Sequence, residues 1–249
     1  MRLAATVMLA RPAGARFEIF MLRRSEQSHF VPDAYVFPGG TVSELDLSER
    51  ALARTRFAPT FSELRARIGS APALDVPLAT DRELAALAFA ALRELYEEAG
   101  VLIACDAGGH TVSADDAARG DFLESLERNG IYADARELTL FSQWLTPPQF
   151  PKRYNTHFFL ATAPEGAAAA ADAHETHDGL WIAPGDALAR SEAGDLHLVY
   201  PTIKHLERLA SFERLDELLA FARTKKILAL SPDTVADGFA LPPELENAW

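Results

Sequence analysis

The chain has 249 residues, 49% of them hydrophobic and 24% charged, with a net charge of −12 when histidine is neutral. That is the mixture of a soluble globular protein with enough chain to bury its own core. The acidic balance argues against gripping a nucleic-acid backbone, which needs clustered Lys and Arg, and the lone cysteine, Cys105, excludes an intrachain disulfide or a cysteine-based zinc site. No apolar run approaches the roughly 18–20 residues that span a bilayer, so no membrane partner is expected. Arg2 and the apolar residues 3–10 imitate a signal peptide weakly, but Arg11-Pro12 interrupts them. They read instead as a first strand, with a cytoplasmic location expected.

In chain order, residues 6–10 and 17–23 form apolar runs around Pro12 and Gly14, the pattern of a hairpin. Residues 34–37 make a short strand stopped by Pro38-Gly39-Gly40, and helical stretches follow near 48–54 and 61–68. The clearest helix is residues 81–99, with Thr80 or Asp81 to cap its start and Gly100 to end it. Next come a short strand at 102–105, a helix at 115–129 and strands at 138–145 and 154–161. An alanine-rich surface loop covers 163–173. A strand at 180–182, a helix at 184–190 and one long helix over 201–223 complete the pattern, with Lys225-Lys226 on the surface. Interleaved strands and helices predict an α/β protein whose mixed central sheet is covered on both faces.

The chemistry concentrates in Arg93-Glu94-Leu95-Tyr96-Glu97-Glu98-Ala99-Gly100-Val101. On a helix Glu94, Glu97 and Glu98 stand at i, i+3 and i+4 and share one face. Like charges so placed cost roughly 0.2–0.5 kcal/mol per pair, and acids near a helix C-terminus oppose its dipole. Three glutamates alone are compatible with a solvated acidic face. Kept as a functional cluster they call for a cation, and hard oxygen ligands suit Mg²⁺ or Mn²⁺ with substrate phosphates.

Together with Phe37-Pro38-Gly39-Gly40, this segment resembles the Nudix hydrolase family. Its signature reads Gly, five residues, Glu, seven residues, then Arg-Glu-aliphatic-any-Glu-Glu-any-Gly-aliphatic. The second half matches at every defined position. Arg93 lies 53 positions after Gly40 where the signature has 14, an insertion of 39 residues. The early glutamate is therefore displaced: Asp46 holds its count from Gly40, while Glu83 lies near the helix start. An interrupted box is similar to the coenzyme A diphosphatase branch, as are Trp144-Leu145-Thr146-Pro147, the stretch from Arg153 to Leu160, and Tyr200-Pro201-Thr202.

The resemblance implies a Nudix α/β/α sandwich with a mixed central sheet, taken as a single domain over 1–249. Helical insertions are expected at about 46–80 and 113–130, with a C-terminal helix and tail from about 201. It implies a metal-dependent diphosphatase using Mg²⁺ or Mn²⁺, with Glu97 and Glu98 as main metal ligands and Glu94 as ligand or water-activating carboxylate. Arg93 would orient these acids, and a Gly39 or Gly40 carbonyl would complete the metal site. Glu175, six residues before Trp181, would join the metal site or act as base. Arg153 and Arg24 are the candidates for meeting substrate phosphates. His174 and His177 read as ordinary loop histidines, and Tyr35 and Phe37 as strand core. The expected partner is a small-molecule nucleotide, and a homodimer is admitted on family grounds. Coenzyme A or acyl-CoA is the first substrate reading. ADP-ribose, a dinucleotide or a nucleotide sugar is the second, and a non-catalytic nucleotide-binding module the third.

Overall fold

The structure, a computed structural model, describes residues 1–25, 31–57, 61–69, 79–112, 121–167, 169–170, 176–236, 238–246 and 249. The chain opens with strands β1 (Arg2–Ala13), β2 (Arg16–Arg24), β3 (Tyr35–Val36) and β4 (Gly39–Thr41). Then follow α1 (Glu49–Ala53), β5 (Thr55–Arg56), α2 (Phe61–Arg67), β6 (Ile68–Gly69) and the long helix α3 (Asp81–Ala99). The middle of the chain gives β7 (Ala104–Cys105), β8 (Thr111–Val112), α4 (Phe122–Arg128), β9 (Tyr132–Asp134), β10 (Thr139–Leu145), β11 (Tyr154–Thr162) and β12 (Thr176–Ile182). The last part holds α5 (Pro184–Glu192), α6 (Tyr200–Ala210), α7 (Leu215–Thr224), β13 (Ile227–Leu230), β14 (Asp233–Val235) and β15 (Gly238–Ala240).

The main sheet runs β12-β2-β1-β11-β10-β13-β6, with β3 on β2 and β4 on β1. It is mixed: β1 lies parallel to β11 from Arg2↔Tyr154 to Ala10↔Thr162, and antiparallel to β2 and β4. Strand β1 shares one edge between two partners. Its residues 10–13 pair with β2, and its residues 4–6 pair with β4. Side chains alternate across the strands. Ala5, Val7 and Leu9 therefore join the core under α3, while Met8 and Ala10 join a second core with Phe158, Leu160, Leu206 and Leu218. The sheet is covered on both faces, as the interleaved pattern predicts. Among the described residues no helix is long and apolar enough to cross a membrane.

Helix α3 matches its expected bounds. Thr80 accepts from the Glu83 N–H while the Glu83 carboxylate accepts from the Thr80 N–H, a full capping box. Gly100 ends the helix at φ 68°, a left-handed conformation that suits glycine. Leu84, Leu87, Ala88, Ala91 and Leu95 are buried, and Phe89 and Tyr96 both pack on Phe122 of α4.

Three expectations are corrected. The single helix expected over 201–223 is two helices, α6 and α7, separated at residues 211–214. Its apolar positions Ile203, Leu206, Leu209, Phe212 and Leu215 recur every three residues, so on one straight helix they would drift around the axis. A turn lets α6 and α7 each bury a side, Leu206 and Leu209 on the first and Leu218 and Ala222 on the second. Lys225 is buried, not on the surface: its Nζ donates to the Phe141 carbonyl at 2.6 Å and lies 4.5 Å over the Phe141 ring. Burial pushes the Lys225 ammonium down to about 7. The C-terminal strands β13, β14 and β15 replace an expected tail, and β13 continues the sheet beside β10. Of the helix expected at 115–129, residues 122–128 are helical and 115–120 lie outside the described residues.

His205 pins α6 to the sheet. Its Nδ1–H donates to the Pro201 carbonyl and its Nε2 accepts from the Ser142 hydroxyl, both at 2.6 Å, and its ring stacks on Phe158. Both nitrogens are used in the neutral tautomer, and burial pushes the imidazole down to about 3. Below the ordinary histidine value of about 6.5 the unfolded chain takes up a proton that the native imidazole refuses. Stability is therefore expected to fall as pH drops from about 6.5 toward 3. His205→Gln should reduce that slope by up to about one proton, read from urea midpoints across the pH range. In the other core, Phe89→Ala should cost about 3–5 kcal/mol by the same unfolding measurement, since Phe89 is fully buried against Phe122.

Candidate active site

Arg93 stands near the C-terminal end of α3 with its side chain 11% exposed, facing an Asp46 carboxylate that is 0% exposed. The contact is bidentate: Nε donates to Oδ1 at 2.8 Å and Nη2 to Oδ2 at 3.0 Å. Asp46 is itself held by the Ser43 N–H at 2.7 Å and the Ser43 hydroxyl at 2.9 Å. The third guanidinium nitrogen, Nη1, lies 2.9 Å from Glu94 and 2.8 Å from Glu97. One cation thus orders three acids. The surrounding carboxylates push the Arg93 guanidinium further up against the opposing effect of burial. Burial pushes both Glu94 and Glu97 up from the ordinary carboxylate value, with Arg93 pulling the other way.

Glu98 takes a different partner, accepting the Gly39 N–H at 2.8 Å. This ties the end of α3 to β4. The two glycines of β4 are required by space and not by backbone angle. A Cβ on Gly40 would lie 2.2 Å from Glu94 Oε1, and one on Gly39 would lie 2.4 Å from the Ala5 carbonyl oxygen. Glu94 occupies the place a side chain would take, which lets the acids of α3 pass around β4 to the opposite face of the sheet.

That face holds a cavity of about 730 Å³. Its floor crosses the sheet through Thr6 on β1, Thr156 and Phe158 on β11, and Trp144 on β10. Glu94, Glu98, Gly39 and Gly40 line one side, and Arg24 lines the cavity as well.

The expected site residues therefore separate. Glu94, Glu98, Gly39, Gly40 and Arg24 line one cavity, whereas Glu97 is drawn to Arg93 with its side chain 38% exposed. Arg153 does not line the cavity: its Nε donates to the Thr146 carbonyl at 3.2 Å, bracing the loop that precedes β11. Arg23, the strand neighbour of Arg24, pairs with Asp33. Of the two candidates for the displaced glutamate, Asp46 grips Arg93 and Glu83 caps α3. Glu175 and His174 lie outside the described residues. The aromatic wall of the cavity, Trp144 and Tyr200, received no role from the sequence. Its signal was present in segments 144–147 and 200–202, whose resemblance to one branch carried no chemistry of its own.

Among the described residues no three His, Cys, Asp or Glu side chains are gathered closely enough to enclose a metal ion. The donor chemistry nevertheless fits a hard divalent cation. The Glu94 and Glu98 carboxylates stand on the cavity wall, and Arg93 supplies one positive charge to three acids, Asp46, Glu94 and Glu97.

A mixed sheet between helical layers, a Gly-Gly strand against a glutamate-rich helix end, and an arginine ordering those glutamates define the Nudix class. The family described as the NUDT19 Nudix domain matches residues 1–209, and the chain belongs to it. The acyl-coenzyme A diphosphatase NUDT19 of Gallus gallus is 29% identical, over 96% of this chain and 77% of that protein. The Homo sapiens protein of the same name is 28% identical, over 84% of this chain and 65% of its own length. A crystal structure of a Nudix hydrolase from Alicyclobacillus acidocaldarius superposes with a TM-score of 0.67 at 28% identity, covering 91% of this chain and 97% of that one.

Asp46→Ala would leave the buried Arg93 charge without its bidentate partner and should cost about 3–5 kcal/mol in urea unfolding. The double variant Asp46→Leu/Arg93→Met should regain most of that stability while remaining inactive, because Glu94 and Glu97 lose the cation that orders them. Full loss in the double variant would show that the pair's packing, and not its charge, holds the segment.

Proposed function

We propose that this chain hydrolyses the diphosphate bond of coenzyme A or acyl-CoA, giving 3′,5′-ADP and 4′-phosphopantetheine or its acyl derivative. The observation that carries the reading is a single cavity with two chemistries: the charged groups of Glu94, Glu98 and Arg24 in its lining, and an apolar aromatic wall. A diphosphate joined to a long, partly apolar arm matches both. The relatives named acyl-coenzyme A diphosphatase support the same assignment.

In the reaction water attacks one phosphorus, the bridging P–O bond breaks, and the leaving phosphate takes the electron pair. Glu94 and Glu98 would hold Mg²⁺ or Mn²⁺ with Glu97 alongside, and the ion would neutralise charge on the attacking and leaving oxygens. Glu94, its carboxylate beside Gly40 on the cavity wall, accepts the proton of the attacking water. Arg93 positions Glu94 and Glu97 without touching substrate. Gly39 fixes one oxygen of Glu98 through its N–H. Arg24 offers a cation to the substrate phosphates.

Purified protein with Mg²⁺ should release 3′,5′-ADP from coenzyme A compounds and lose that activity in chelator. Glu94→Gln and Glu98→Gln should each lower kcat by about a hundredfold or more. Much faster cleavage of ADP-ribose or NADH would keep the acidic site and overturn the substrate assignment. Nucleotide binding without turnover would favour a binding module.

A further inference from the structure

One element at the end of the cavity remote from the glutamates lies beyond the family match. The match ends at residue 209, and the hairpin β14–β15 lies at 233–240. Phe239 of that hairpin lines the cavity, as do Phe150, Tyr200 and Trp144. The four rings form a continuous track. Trp144 and Tyr200 have centroids 6.2 Å apart, Tyr200 and Phe239 5.9 Å, and Phe239 and Phe150 5.9 Å. Trp144 is buried in the floor, while Phe150 and Phe239 are 37% and 36% exposed at the rim.

That exposure is unusual. Among the described residues the exposed large apolar side chains are Met1, Phe150, Val235 and Phe239, so three of the four belong to this rim or its hairpin. The rim is also anchored. Gln149 donates to the Thr234 hydroxyl, and the Leu241 N–H donates to the Tyr200 hydroxyl at 2.8 Å. Anchoring holds these apolar rings at the cavity mouth, where the described residues leave Phe150 and Phe239 about one-third exposed.

Distance fixes what could lie there. From β4 to β10 the sheet crosses three strand spacings, roughly 14 Å at about 4.8 Å each. The charged groups lining the cavity include Arg24, Glu94 and Glu98, and the aromatic track carries none. A ligand whose diphosphate sits at the glutamates must therefore present an apolar group well removed from it.

We propose that Phe150, Tyr200 and Phe239 form a subsite for the acyl chain of the substrate, and that the β14–β15 hairpin sets a preference for long-chain acyl-CoA over free coenzyme A. The inference rests on the diphosphatase reading above and assigns its specificity. Rings at the rim shield methylenes from water, so each truncation should be read as weaker binding of the chain and not as slower chemistry.

The test compares free coenzyme A, acetyl-CoA and lauroyl-CoA with wild type, Phe239→Ala, Phe150→Ala and Phe239→Leu. The ratio of kcat/KM for lauroyl-CoA to that for coenzyme A should fall about tenfold or more in each alanine variant, carried by KM, with Phe239→Leu retaining most of it. Both alanine sites are on the rim and on separate segments, so agreement between them excludes a folding defect in one. An unchanged ratio in both, with wild type still cleaving coenzyme A compounds, overturns the acyl subsite and leaves the diphosphatase reading standing. Failure of wild type to cleave any coenzyme A compound, while it cleaves ADP-ribose, overturns both.

Discussion

The buried contact between Arg93 and Asp46 is the constraint on which the site depends. It joins residues 47 positions apart, one on α3 and one just beyond β4. A bidentate pair with almost no exposure is rigid, and its geometry sets where the third nitrogen of Arg93 lies. That nitrogen in turn fixes Glu94 and Glu97. The signature is interrupted between Asp46 and Arg93, yet the two residues meet in space. Loop-closure cost grows only slowly with length, so inserting tens of residues between two strongly joined ends is thermodynamically mild. The insertion is further drawn together at its base, where Arg82 at the start of α3 reaches Glu49 and the Leu47 carbonyl. These contacts are exposed and contribute little energy by themselves; Asp46 and Arg93 do the joining.

The second constraint is the crowding of acids. Three carboxylates surround one guanidinium, and burial raises two of them. Such an arrangement opposes the stability of α3 and of the apolar face beneath it. The fold offsets the cost with an unusually clean helix: a full capping box at one end, a left-handed glycine at the other, and an almost continuous buried alanine and leucine face between. Gly39 and Gly40 complete the arrangement by absence. A side chain on Gly40 would displace the Glu94 carboxylate, and one on Gly39 would collide with β1 at Ala5 and Thr6.

What the sequence disclosed follows the range of the interactions involved. Helix α3 was legible to the residue because its caps and its apolar stripe are local. The acid cluster was legible because helical spacing alone puts Glu94, Glu97 and Glu98 on one face. Which of the three would line the cavity was not, because that depends on β4 and on Arg93 across the fold. The α6–α7 break was hidden by apolar residues that continue past it at a spacing a helix tolerates for a turn or two. The Lys225-Lys226 pair reads as surface in sequence because lysines are rarely buried. The Lys225 ammonium is accommodated by the Phe141 carbonyl and ring, contacts supplied by β10 from far earlier in the chain. Arg153 stands directly before β11, and its guanidinium turns to the loop it follows.

The order of strands explains why one cavity can serve two chemistries. β4 brings the acids to one side of the floor, and β1 and β11 carry it across with small or apolar residues. β10 then delivers it to elements that arrive last in the chain. β13 seats itself beside β10 in parallel and thereby fixes where the following hairpin can fall, next to Tyr200 and the 146–150 loop. The charged end is thus set by a helix and a Gly-Gly strand that tolerate almost no change in space. The apolar end is set by a loop and a short hairpin whose few contacts leave them open to substitution. Chemistry and selectivity rest on different parts of the chain, so the apolar end can change its residues without disturbing the acids that the reaction requires.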